Sequence, residues 1–130
     1  MPDSDCPFCP PPEARVLWRG EHVLAIWDLY PVAKGHALLI PRRHVVSWTD
    51  ATAAEQTELA LGIAAVRAVI EREHVPDGYN FGVNDGIAAG QSVMHLHLHV
   101  IPRYAGDMED PRGGIRWVVK TPAGHWTGTH

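Results

Sequence analysis

The most constraining stretch of the chain is Met94-His95-Leu96-His97-Leu98-His99-Val100-Ile101, where histidine recurs at every second position. A period of two is that of a β-strand, so one face carries His95, His97 and His99 while the other carries Met94, Leu96, Leu98 and Val100. The apolar face has to pack on a core. Three adjacent imidazoles repel one another when protonated and present nitrogen lone pairs when neutral, which suits metal ligation or nucleophilic catalysis better than plain solvent contact. Gly90-Gln91-Ser92 adds hydrogen-bonding groups at the mouth of the same segment.

The rest of the pattern supplies partners for that strand, which is expected over Val93 to Ile101. Val16-Leu17-Trp18, a turn at Gly20-Glu21, and Val23 to Trp27 read as a hairpin, and the apolar run His36 to Ile40, closed by Pro41, reads as a third strand. Thr52 with Glu55 three residues later is a capping box, and Leu59, Ile63, Val66 and Ile70 make the single stripe of one long helix. Pro76-Asp77-Gly78 ends that segment, Tyr79 to Val83 reads as a strand, and Asn84 to Gly90 as a loop of small residues. The Pro- and Gly-rich stretch Pro102 to Gly114 is a loop, and Ile115 to Val119 is expected to add a last strand before a tail without periodicity. Strands grouped around one helix imply an α+β fold with a mainly antiparallel five- or six-stranded sheet. With no repeat and no dividing linker, residues 1–130 read as a single domain, its core spanning about 6–104 and the remainder forming the loop, strand and tail.

Charge excludes one class of partner. Eleven Lys and Arg against fifteen Asp and Glu leave -4, so no overall positive field holds a nucleic-acid backbone, and no stable nucleic-acid or acidic-membrane partner is expected. No apolar run approaches the ~20 residues of a membrane span, and three prolines stand where a signal peptide would have its apolar centre. A cytoplasmic protein is the expectation. The only cysteines, Cys6 and Cys9, are spaced as a metal half-site or a redox pair, and Pro10-Pro11-Pro12 directly after them disfavours the helix that a redox pair opens. One CxxC fills half of a tetrahedral site, so two further ligands would have to come from elsewhere.

Four segments in order, Cys6-Pro7-Phe8-Cys9, Ala25 to Pro31 with Lys34-Gly35-His36, Ile40-Pro41-Arg42-Arg43-His44, and Gly90 to Arg103, together resemble the histidine triad (HIT) family of nucleotide hydrolases and transferases. The resemblance implies the histidine triad fold and cleavage at the α-phosphorus of a purine nucleotide through a covalent nucleotidyl-histidine. It implies His97 as the nucleophile and His99 as its partner on the phosphate oxygens, with Gln91, Ser92 and the backbone near Gly90 the nearest donors for developing negative charge. Asp28 would bind the two ribose hydroxyls, Ile26 and Leu29 would line the base pocket, and Asn84 matches an asparagine near the site. In zinc-bearing relatives the metal is held by the CxxC, a histidine after the Ile-Pro strand end and the first triad histidine. Here these are Cys6, Cys9, His44 and His95, a closed and therefore structural site.

His36 matches a scaffold position near the nucleotide, whereas His22, His74, His125 and His130 read as surface residues. Arg103, Arg112, Arg116 and Lys120 form a basic excess that suits either polyphosphate or solvent. Within the family, the Asn84 to Gln91 approach and the Ile101-Pro102-Arg103 exit look closer to the hydrolases of diadenosine polyphosphates (Ap4A, Ap3A), whose substrate a divalent cation such as magnesium would accompany. Asp28 and Ser92 are typical of the purine nucleoside phosphoramidate hydrolases, the alternative. A non-catalytic nucleotide-binding protein is the second class, disfavoured by the intact triad. A homodimer is expected, partly because the resemblance implies the symmetric dimer common among histidine triad proteins and partly because one helix covers only one sheet face; a partner would also cover part of the aromatic set Trp18, Trp27, Trp48, Trp117 and Trp126.

Overall fold

A computed structural model of the chain describes residues 5–119, and Lys120, His125, Trp126 and His130 lie outside them. Five antiparallel strands, β1 (Val16–Arg19), β2 (Val23–Trp27), β3 (Ala37–Pro41), β4 (Gly78–Val83) and β5 (Leu98–Arg103), form one sheet in the order β1-β2-β3-β5-β4. The one α-helix among the described residues, α1 (Ala53–Ile70), connects β3 to the edge strand β4, and β5 then inserts between them. The expected α+β architecture is the observed one. None of the described helices is long and apolar enough to cross a membrane.

The capping box is present, with the Thr52 hydroxyl accepting from Glu55 N–H and the Glu55 carboxylate accepting from Thr52 N–H. Arg43 binds the same carboxylate at 2.9 Å, tying the loop after β3 to the helix start. The buried stripe of α1 is Leu59, Gly62, Val66 and Ile70, with the expected Ile63 only half-buried. Gly62 takes the seam because the helix lies close to the sheet. A Cβ there would stand 3.0 Å from Leu39 Cδ2 and 3.1 Å from Trp18 Cζ3. The roughly 1 kcal/mol of helix propensity that glycine forfeits is offset by this close packing.

Two apolar clusters lie on opposite sheet faces. Between sheet and helix sit Val23, Ala25, Leu39, Leu59, Val66, Ile70, Leu96, Leu98 and Val100, with Trp18, Trp27 and Trp48 packed against them. On the other face Leu24, Ile26, Leu38 and Ile40 are covered by Cys6 and Phe8. The second face is thus partly closed by the chain's own N-terminal segment, which weakens the burial argument for a dimer.

Two expected strands change. β5 begins only at Leu98, so His95 and His97 lie ahead of the ladder, in a run whose Leu96 N–H donates to the Val45 carbonyl, although the alternation of faces persists through it. The segment expected as a strand at Ile115 to Val119 is instead a 3-10 turn, Gly114–Val118, entered through Gly113 at φ 91°. It lies beside the edge strand β4 without joining its ladder, a Cβ at Gly82 standing 3.8 Å from Ile115 Cδ1.

Candidate active site and metal site

Backbone carbonyls fix the proton positions of the first two triad histidines. His95 Nε2 lies 2.8 Å from the Pro41 carbonyl and His97 Nδ1 lies 2.8 Å from the His95 carbonyl. A carbonyl can only accept, so each of those nitrogens carries the proton and the opposite one keeps its lone pair. For His95 that lone pair is on Nδ1, 3.3 Å from both Cys6 Sγ and Cys9 Sγ. For His97 it is on Nε2. His97 lines a cavity of about 280 Å³ together with His99, Asp28, Asn84 and Ser92.

His44 Nδ1 stands 3.3 Å from Cys9 Sγ, and the four ligand atoms of Cys6, Cys9, His44 and His95 all lie within 4.8 Å of one another. Ligands at ~2.0–2.3 Å around a tetrahedral ion are separated by about 3.3–3.8 Å, so the donor set fits a metal of zinc's type. Phe8 N–H donates to Cys6 Sγ at 3.4 Å, and neither cysteine is in a disulfide. The Pro41 carbonyl behind His95 is the outer partner that orients a metal-binding imidazole.

The third histidine joins a different cluster. His36 Nδ1 accepts from Val32 N–H at 3.1 Å, leaving the proton on Nε2, which faces His99 Nδ1 at 2.9 Å and Asp28 Oδ2 at 3.3 Å. When His36 donates to His99 Nδ1, the His99 proton sits on Nε2. The other Asp28 oxygen accepts from Tyr30 N–H at 2.8 Å, closing the turn after β2. Burial, with His97 and His36 adding to it against the opposing pull of Asp28, pushes the His99 pKa down to about 4. His36 is lowered too, by burial against the pull of Asp28.

Both imidazoles therefore stay neutral where an unfolded chain would take up protons, below about pH 6.5. Their contribution to stability is fully present above that pH and is lost as pH falls towards 4. A His99→Gln variant is expected to lose stability less steeply than the parent across this window, measured by urea midpoint. Equal slopes would rule the His99 contribution out.

Several expected site residues have other tasks. Gln91 is buried, its Oε1 accepting from Gly86 N–H and its Nε2 donating to the Val46 and Val93 carbonyls, so its donors are engaged within the loop rather than facing the cavity. Gly90 closes the short 3-10 turn Ile87–Ala89 at φ 97° and does not line the cavity. Ile26 is fully buried in the sheet, and its cross-strand neighbour Leu38 lines the cavity with Leu29. Ser92 is exposed at the cavity.

Phe8, Arg15, Tyr30 and Val93 line it as well and were not singled out from the sequence. The Phe8 ring meets His95 and His97 edge-on at 5.7 and 5.6 Å. An aromatic residue held between two metal-spaced cysteines was the available signal.

Comparison with known proteins agrees with this geometry. The HIT domain model matches residues 12–106. A HIT-like protein of Methanocaldococcus jannaschii is 40% identical over 96 residues, covering 74% of each chain. The AP-4-A phosphorylase of Mycobacterium tuberculosis is 38% identical over 82% of this chain, which spans 55% of that protein. A zinc-bound histidine triad family protein from Mycobacterium smegmatis has a TM-score of 0.68 and 38% identity, with 84% of this chain and 82% of that one covered. A HIT family protein from Bacillus anthracis has a TM-score of 0.71 at 35% identity, with coverage of 78% and 75%. A triad split between a Cys2His2 cluster and a cavity of about 280 Å³, on this sheet order and with these relatives, makes the chain a member of the HIT domain family.

Proposed function

We propose that the protein is a nucleotide hydrolase that cleaves at the α-phosphorus through a nucleotidyl-His97 intermediate. The observation that carries this reading is the 2.8 Å contact of His97 Nδ1 with the His95 carbonyl, which leaves the Nε2 lone pair free for attack. In the first step Nε2 bonds to phosphorus and the bond to the leaving group breaks, its electron pair departing with that group, which takes up a proton. In the second, water adds to phosphorus and gives up a proton to solvent, the P–N bond breaks and the lone pair returns to Nε2 of His97. A neutral His99 with its proton on Nε2 donates to the phosphate oxygens, and Ser92 at the cavity is the second donor. Asp28 takes the ribose hydroxyls, while Leu29, Leu38 and Phe8 face the nucleoside.

Relatives named as acting on nucleoside polyphosphates, the AP-4-A phosphorylase and the asymmetrical bis(5'-nucleosyl)-tetraphosphatase of Schizosaccharomyces pombe, support a dinucleoside polyphosphate substrate, entering with a divalent cation such as magnesium. The latter is 37% identical, and the chain spans 55% of it. Purified protein given diadenosine tetraphosphate and adenosine phosphoramidate in parallel is expected to show the higher kcat/KM on the polyphosphate. A preference for the phosphoramidate would move it to the other branch, and turnover of neither would leave a binding protein. The metal is proposed to be one structural zinc, and the assembly a homodimer, for which light scattering would give twice the 14.3 kDa of the chain.

A further inference from the structure

Arg15 is a cation in the nucleotide cavity for which the reaction above has no use. It immediately precedes β1 and lines the cavity with Asp28, Leu29 and Tyr30. Its Nε and Nη2 donate to the Trp27 carbonyl at 3.1 and 3.0 Å, and among the described residues no carboxylate pairs with it. A guanidinium carries five N–H donors in a rigid plane. Two are engaged, which fixes the plane, and three, the Nη1 pair and the second Nη2 hydrogen, are left for a ligand.

The order of strands says which part of a nucleotide lies there. Crossing the sheet from β5 through β3 and β2 to β1, one meets His97 and His99, then Leu38, then Asp28 beyond the end of β2, and last Arg15. A nucleotide bound with phosphate at the histidines and ribose at Asp28 therefore has its base at Arg15. We infer that Arg15 is a specificity-determining residue that hydrogen-bonds the edge of the base and selects guanine over adenine. Guanine offers two acceptors, O6 and N7, on one edge, which matches the fork of an arginine, whereas adenine puts an amino donor against it.

The inference rests on the nucleotide reading above, and its test separates the two. In matched pairs with the same leaving group, diguanosine against diadenosine tetraphosphate and guanosine against adenosine phosphoramidate, the expected kcat/KM ratio is about tenfold in favour of guanine. In Arg15→Met the ratio is expected to fall towards one, with Arg15→Lys between them. Because the ratio is internal to each preparation, partial loss of folded protein through the freed Trp27 carbonyl cancels. Equilibrium binding of GMP and AMP reads the same preference without turnover. Turnover with no guanine preference, or an Arg15→Met variant slowed equally on both bases, overturns the base-reading role alone. Guanine-selective binding without turnover supports it while removing the hydrolase, and binding of neither mononucleotide overturns both.

Discussion

Replacing His97 by alanine is expected to lower hydrolysis of the best nucleotide substrate by on the order of 10⁴-fold, because the nucleophile itself is removed while the donors and the nucleoside pocket stay. The variant should still bind mononucleotide, since Asp28, Leu29 and Phe8 are untouched. It should also lose a nucleotide label that, in the parent protein, is labile to acid and stable to base, as a phosphorus–imidazole bond is. His97 is buried and edge-on to Phe8, so the comparison is made at equal folded fraction, checked by circular dichroism. Retention of turnover by His97→Ala would remove the covalent mechanism, since the described cavity holds His99 as the next imidazole and its Nδ1 is engaged with His36.

Removing the metal is expected to lower the melting temperature by at least about 10 °C, and Cys6→Ser to do the same without chelator. A closed Cys2His2 site contributes its binding free energy to folding, and loss of even about 3 kcal/mol moves the midpoint of a domain this size by roughly that much. Metal analysis of the parent should give about one zinc per chain. The effect should reach the reaction as well. The carbonyl that sets the His97 tautomer belongs to His95, so releasing the His95 side chain loosens the backbone that orients the nucleophile. An unchanged melting curve together with no bound metal would strike Cys6, Cys9, His44 and His95 from the site.

Legibility differed between the two halves of the site for a physical reason. The metal set rested on the CxxC and, through the resemblance, on His44 and His95, and the structure brings the four side chains together. The nucleoside pocket was harder. Ile26 and Leu38 face each other across β2 and β3, and only the burial of their surroundings decides that Leu38 borders the cavity while Ile26 is covered. Gln91 has hydrogen-bonding groups suited to a phosphate, but its amide is satisfied by Gly86, Val46 and Val93, partners two to forty-five residues away. Arg15 carries no motif, and its place in the cavity follows from β1 pairing with β2.

Local periodicity and turn chemistry by themselves determined the α+β class, the hairpin, the capping box of α1 and the shared face of the three histidines, because each depends on residues a few positions apart. What only the tertiary structure decided depends on partners distant in the chain. The Pro41 carbonyl behind His95 and the His36 ring beside His99 put the proton of each on Nε2, whereas the His95 carbonyl puts that of His97 on Nδ1, so on the proposed reading three imidazoles on one face serve as a ligand, a donor and a nucleophile. Isolated imidazoles are chemically equivalent. The nearest partner makes them different, and for His95 and His99 that partner, the Pro41 carbonyl or the His36 ring, lies on or just before β3, so it depends on how β3 and β5 come to lie side by side.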